Sequence, residues 1–62
     1  MKLDSYDIKN LAEFVTALNE LTRKNQVNVC AYGGIDICIR SSNVARLEFD
    51  HERGEHIVTE AL

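Results

Sequence analysis

Sixty-two residues give room for one small domain and leave no length for a second core. A hydrophobic content of 45% is ordinary for a folded domain and argues against a disordered chain. The net charge of −3 argues against direct binding to a phosphate backbone, which requires a basic footprint. Acidic and basic residues cancel over residues 1–31, so the whole negative excess lies in residues 32–62. A basic protein surface is therefore a better electrostatic match than a nucleic acid.

The sequence contains no segment typical of export or of membrane insertion. Asp4 and Asp7 lie near the N-terminus, where a signal peptide would place an apolar run. No stretch approaches the roughly 20 apolar residues that span a bilayer. We therefore expect a cytoplasmic protein that does not bind membranes. In a reducing compartment Cys30 and Cys38 are expected to be thiols.

The first half of the chain predicts one amphipathic helix. Large apolar residues recur there at spacings of three and four, which places them on one helical face: Ile8, Leu11, Phe14, Val15, Leu18 and Leu21. Ser5 or Asp7 is suited to the N-cap, where a side-chain oxygen accepts a hydrogen bond from an unpaired backbone N–H. Arg23 and Lys24 favour the negative end of the helix dipole, and Asn25 is expected to end the helix.

Beyond the helix, apolar and polar residues alternate with a period of two, which indicates strands. Gly33 and Gly34 mark a first turn, because glycine adopts positive φ without strain, and residues 41–43 mark a second. Four strands are predicted, at residues 27–32, 35–40, 45–50 and 56–61. The expected fold class is α+β: one N-terminal amphipathic helix packed on a four-stranded antiparallel β-meander, in a single domain spanning residues 1–62.

The charges favour one register for the sheet. A three-residue loop at residues 52–54, with Gly54 in the left-handed position, puts opposite charges across the last hairpin. The expected cross-strand pairs are Phe49 with Ile57, Leu47 with Thr59, Asp50 with His56 and Arg46 with Glu60. A slip of one residue would bury His56 and Glu60, which is costly. The same loop length in the first hairpin sets Cys30 opposite Cys38.

Cysteine and histidine residues carry the candidate chemistry. Opposed Cys30 and Cys38 could form a disulfide, but two free thiols are the favoured interpretation in a cytoplasmic protein. Together with His51 and His56 they supply zinc-ligand types, yet the first spacing is too long for a zinc finger and the helix precedes the cysteines. A Cys38–His56 pair lacks an oxyanion loop and a third orienting group. We predict no catalytic residue, no metal site and no cofactor.

The third strand and its turn carry an acidic row, which we define as Asp36, Glu48, Asp50, Glu52 and Glu55. Alternate residues of a strand lie about 6.6 Å apart, close to the spacing of successive phosphates along one strand of a nucleic acid. One interpretation is a solvated face that maintains solubility. The other is a partner-binding surface whose carboxylates imitate phosphates.

In its size, its acidity, its single helix with an antiparallel sheet and its row Glu48, Asp50, Glu52 and Glu55, the chain resembles phage-encoded inhibitors of the anti-CRISPR type. The resemblance is one of architecture and charge. It implies a monomer or small oligomer, with a monomer favoured, that acts in the host cytoplasm. Its partner would be a CRISPR surveillance complex whose basic DNA-binding groove it occupies. Arg40, Arg46 and Arg53 interrupt the acidic face and leave room for ordinary shape-specific binding.

The alternative function is a generic protein–protein interaction or assembly module. Such a domain adds a strand to a partner at an unpaired sheet edge. Tyr32, Val58 and Leu62 are its expected apolar anchors. The two functions differ in their response to salt, because binding through carboxylates weakens as salt rises whereas edge pairing with apolar anchors persists.

Overall fold

A computed structural model of the chain describes residues 4–39 and 43–61. These residues form one helix, α1 (Ser5–Asn25), and three strands, β1 (Ile35–Ile39), β2 (Asn43–Asp50) and β3 (Glu55–Ala61). The strands make one antiparallel sheet in the order β1-β2-β3, and α1 lies on one face of it, mainly against β3. The predicted α+β class is confirmed, but the predicted four-stranded meander is wrong, because the described sheet has three strands.

Residues 27–32 are the predicted strand that does not form, and Arg40, the predicted end of the next strand, lies outside the described residues. The chain leaves α1 at Gln26, whose φ of 57° is left-handed and whose N–H donates to the Thr22 carbonyl at 2.8 Å. The Val29 N–H then donates to Nε2 of His56 at 3.0 Å, so this backbone is held by a side chain rather than by a neighbouring strand. As a result β1, which the four-stranded meander placed inside the sheet, is an edge strand.

Both ends of α1 follow ordinary capping rules. The side chain of Asp4 accepts from the N–H of Asp7 at 2.8 Å, so the N-cap is Asp4 and not Ser5 or Asp7 as predicted. Arg23 and Lys24 occupy the last turn, and the helix ends at Asn25, as predicted.

The helix does not bury the apolar face that the sequence predicts. Leu11 is buried and Val15 and Leu18 are half-buried, but Ile8, Phe14 and Leu21 are all more than half exposed. The polar helix residues Asp7, Asn19 and Thr22 are buried instead. The helix is thus turned about its axis relative to the predicted orientation, and two hydrogen-bonded contacts hold it there. Asn43 Nδ2 donates to Asp7 Oδ2 at 3.1 Å, and Asn19 bonds to His56.

The apolar core among the described residues is small. Leu11, Ile39 and Ala45 form its buried cluster, and Val15 and Ile37 pack against them. Leu47 is also buried, in the middle of β2. A core of this size contributes little stability in excess of the conformational entropy that folding costs. The remaining apolar side chains are therefore candidates for contact with another molecule.

The last hairpin has a different register from the predicted one. Observed pairs are Asp50 with Glu55, Phe49 with His56, Glu48 with Ile57, Leu47 with Val58 and, past a bulge, Arg46 with Glu60. Only the Arg46–Glu60 pair is confirmed. The loop has four residues, 51–54, because Asp50 pairs with Glu55. Oδ1 of Asp50 accepts from the N–H groups of Glu52 and Arg53 at 3.0 and 3.2 Å and so holds the turn. Gly54 is left-handed as predicted, with φ of 69°.

Gly34 lies at the closest approach of the turn before β1 to strand β2. Its φ is +95°, and a Cβ there would lie 2.9 Å from the Arg46 side chain and 3.1 Å from the Leu47 carbonyl oxygen. Gly33 has φ of +82° but open space around it. We expect Gly34→Ala to lower the free energy of unfolding by about 2–3 kcal/mol and Gly33→Ala by about 1 kcal/mol. Denaturant unfolding measures both losses of stability. Equal losses would mean that the close contact of a residue-34 side chain with β2 adds nothing to the cost of its positive φ.

Candidate functional site

The outer face of the sheet, on the side away from α1, gathers most of the acidic row. Ala45 and Leu47 of β2 are buried against the core, so the alternate residues of that strand point outward. Their neighbours across the strands complete the face, whose charged residues are Asp36, Arg46, Glu48, Asp50, Glu55 and Glu60. Glu52 lies beside it in the hairpin turn. Five carboxylates thus share this face with one guanidinium among the described residues.

Arg46 is the centre of this face. Its Nε donates to Oδ1 of Asp36 at 3.0 Å, and its Nη1 lies 3.8 Å from Oε1 of Glu60. The hydrogen bond and the charge of Asp36, followed by the charges of Glu60 and Glu48, raise the pKa of Arg46 above its usual value. Arg46 is therefore cationic throughout the working pH range, and it neutralises part of the acidic row.

The other carboxylates of the row differ in how far they are engaged. Asp50 holds the hairpin turn through its Oδ1, and Glu55 lies 3.6 Å from Nε of Arg53. Glu48 and Glu52 are exposed and form no ion pair with any residue in ranges 4–39 and 43–61. These two carboxylates are the members of the row best placed to meet a cation on another molecule.

A second surface lies between the helix and the edge strand β1. An apolar groove of about 240 Å³ is lined by Asn10, Leu11, Phe14, Ile37, Cys38 and Ile39. Its volume is below the roughly 300–1,000 Å³ of typical small-molecule pockets, but an apolar side chain can enter it. Leu21 lies two helical turns from Phe14 on the same flank of α1. We call this groove, together with the flank of α1 that carries Phe14 and Leu21, the apolar side.

Exposed apolar residues are numerous for so small a chain. Eight large hydrophobic residues are exposed among those described, against four buried hydrophobic residues. The exposed residues are Tyr6, Ile8, Phe14, Leu21, Val27, Val29, Tyr32 and Val58. Two of the three predicted edge anchors, Tyr32 and Val58, are among them, and Leu62 lies outside the described residues. Apolar residues scattered singly over a surface are ordinary, whereas Phe14 adjoins an apolar groove and so marks the candidate interaction site.

His56 is the residue whose position the sequence most clearly fails to predict. It was expected at the surface beside Asp50, yet only 2% of it is exposed. Its backbone N–H donates to Oδ1 of Asn19 at 2.7 Å, and its Nδ1 lies 2.8 Å from the same oxygen. Because Nε2 accepts from Val29, the proton must be on Nδ1. Phe49 packs edge-on against this ring at 5.0 Å. His56 therefore joins α1, β3 and the segment that follows the helix.

The cysteine and histidine side chains do not form a shared site. Cys30 and Cys38 are free and exposed, and they are not opposed, because residues 27–32 form no strand. His56 is buried with both ring nitrogens engaged, and Cys38 lies on the opposite edge strand, so the Cys38–His56 pair is not formed. His51 packs against Phe49 at 4.9 Å. Within the described ranges no group of three metal-ligating side chains occurs.

Comparison of the chain with protein-family models, with curated proteins and with solved structures found no match. Within the part of the chain that the structure describes, no helix has the length and apolar character needed to cross a membrane.

Proposed function

We propose that this chain is a protein-binding module and that the apolar side is its binding surface. The observation that carries the proposal is that exposed Phe14 and Leu21 lie two turns apart on one flank of α1, the flank that borders an apolar groove. Phe14, which is 53% exposed, stands at the rim of the apolar groove, beside an edge strand that has a hydrogen-bonded neighbour on one side only. Aromatic anchors beside pockets are the residues that most often dominate protein–protein affinity.

Partner capture tests this function with a matched pair of helix variants. Phe14→Glu places a carboxylate on the apolar side, whereas Thr16→Glu places one on an exposed part of the helix away from it. We expect Phe14→Glu to reduce the binding of partner proteins from a bacterial lysate at least tenfold, because the introduced charge must be desolvated on binding. Thr16→Glu should bind like the unaltered chain. Equal binding by both variants would remove the apolar side from the function.

A second candidate function is favoured by the outer face of the sheet. The five carboxylates there, with Glu52 beside them, fit a protein whose basic groove otherwise holds nucleic acid, as the resemblance to anti-CRISPR inhibitors implies. Glu48→Gln with Glu52→Gln removes the two carboxylates that pair with no described cation and leaves the Asp50 turn intact. Loss of capture in this double variant, together with steep weakening by salt, would support the inhibitor over the apolar module.

A further inference from the structure

The two edges of the sheet differ in how well they are protected. The β3 edge carries Glu55 and Glu60 and contains a register shift opposite Arg46 and Leu47. Bulges and charges are features that keep an edge strand from pairing with another chain. The β1 edge has neither a bulge against β2 nor a lysine or proline, and its five residues alternate three isoleucines with Asp36 and Cys38. Strand β1 is therefore the edge suited to further pairing.

The side chains of β1 are compatible with pairing to a second β1. An antiparallel pair centred on Ile37 sets Ile37 opposite Ile37 of the second copy and Ile35 opposite Ile39. Asp36 then lies opposite Cys38, so no carboxylate faces its own copy across the strands. The isoleucine rows of the two copies become continuous on the inner face, and the two apolar grooves with their Phe14 rims come together there.

The surface beside β1 is uncovered in the described chain. Phe14 is 53% exposed and Ile37 is only half-buried. A second copy paired through β1 would bring apolar surface of the same kind against it.

We propose that two copies of this chain pair antiparallel through β1, centred on Ile37, to form a continuous six-stranded sheet with both helices on one face. The inference rests on the proposed function, because it names a second copy as the molecule that covers the apolar side. It departs from the monomer that the sequence favours. The sequence assigned β1 to the interior of a four-stranded sheet, and the structure leaves it at the edge.

Sedimentation equilibrium of the full chain tests the pairing with one variant on each edge. Ile37→Lys puts a charge on the inner side of β1, and Val58→Lys puts the same charge on the inner side of β3. We expect a concentration-dependent dimer for the unaltered chain. Ile37→Lys should weaken it at least about 100-fold, because the charge would be buried, and Val58→Lys less than about threefold. Circular dichroism confirms that each variant is folded.

Disulfide trapping gives a second test that does not depend on Ile37. In a Cys30→Ser background, Asp36→Cys sets a thiol opposite Cys38 of the second copy, at a separation that a disulfide can bridge. Mild oxidation should give covalent dimers. Glu48→Cys, on the central strand, should give no more than the background alone.

Each outcome bears on the pairing. Rapid cross-linking of the background through Cys38 alone would overturn the Ile37-centred register. A dimer that neither responds to Ile37→Lys nor traps through Asp36→Cys would overturn the β1 interface. A chain that stays monomeric at about millimolar concentration, while its capture of other proteins still depends on Phe14, would overturn self-pairing and leave the proposed function standing. A chain that stays monomeric and whose capture of other proteins does not depend on Phe14 would overturn both the self-pairing and the proposed function.

Discussion

Replacing Asn19 with alanine is expected to lower the free energy of unfolding by at least about 3 kcal/mol, a large share of the roughly 3–9 kcal/mol expected for a chain of 62 residues. The side chain of Asn19 satisfies three buried groups of His56: it accepts from the backbone N–H and from Nδ1, and it donates to the carbonyl oxygen at 3.2 Å. Its removal leaves these groups without a partner, and each buried unpaired group costs about 1–3 kcal/mol. Thermal and urea unfolding, followed by circular dichroism, measure the loss.

Asn25→Ala is the matched control for that prediction. Asn25 lies on the same helix, and its side chain makes one exposed hydrogen bond, to the Leu21 carbonyl at 3.1 Å. Both substitutions raise helix propensity by a similar amount, so the difference between them isolates the buried contact with His56. We expect Asn25→Ala to change stability by less than about 0.5 kcal/mol. Similar losses in the two variants would mean that the contact between Asn19 and His56 does not stabilise the fold.

The contact between Asn19 and His56 also explains why part of the fold could not be predicted. The helix and its end depend on contacts three or four residues apart, which the spacing of Leu11, Val15 and Leu18 reveals directly. Asn19 and His56 are 37 residues apart, and nothing local indicates that they meet. Once they do, the helix turns its polar Asn19 inward and leaves Phe14 exposed.

Residues 27–32 show a second limit of sequence patterns. Their alternation of apolar and polar residues is the same whether the segment pairs with a strand or crosses from a helix to a sheet. The hydrogen bond from the Val29 N–H to His56 holds the segment as a crossing rather than a strand, and this bond joins residues 27 apart in the sequence. In β2 and β3, by contrast, the pattern and the structure agree on the strands. The predicted Arg46–Glu60 pair forms because a bulge restores, at that end, the register that the rest of the hairpin does not follow.

The candidate surfaces were predictable to different degrees. The acidic row follows from strand alternation, and Asp36, Glu48, Asp50 and Glu55 do share the outer face. The sequence did not predict the hydrogen bond from Arg46 to Asp36, or the hydrogen bonds that Asp50 accepts within its turn. The apolar side was not predictable, because the three- and four-residue spacing of the apolar residues indicates that the whole apolar face of the helix is buried. That the row binds a partner stays a prediction.

Pairing through β1 would also change what the outer face presents. Six strands spaced about 4.8 Å apart place the two outermost strands about 24 Å from each other, with the carboxylates of both copies on the same side. A partner with an extended basic groove would meet twice the number of acidic groups without any change in a single copy. Self-pairing and the second candidate function are therefore compatible. Salt separates them, since screening weakens attachment to a basic groove and relieves repulsion between the two acidic faces.

Leucine-to-alanine substitution at two positions is expected to separate the core from the apolar side. Leu47 is 2% exposed at the middle of β2, where its neighbours across the strands are Ile35 and Val58. We expect Leu47→Ala to lower the free energy of unfolding by about 2–4 kcal/mol through lost burial and the cavity left behind. Leu21 is 57% exposed, and Leu21→Ala should cost less than about 1 kcal/mol, since alanine favours the helix. Denaturant unfolding of dilute samples measures both.

The same two variants bear on association, where their order is expected to reverse. Leu21 lies on the flank of α1 that carries Phe14, so its truncation removes apolar surface from the apolar side without disturbing the core. A folded Leu21→Ala protein should therefore associate more weakly than the unaltered chain at equal concentration. If instead Leu21→Ala unfolds as readily as Leu47→Ala, Leu21 belongs to the core, and the helix must sit on the sheet with its predicted apolar face inward after all.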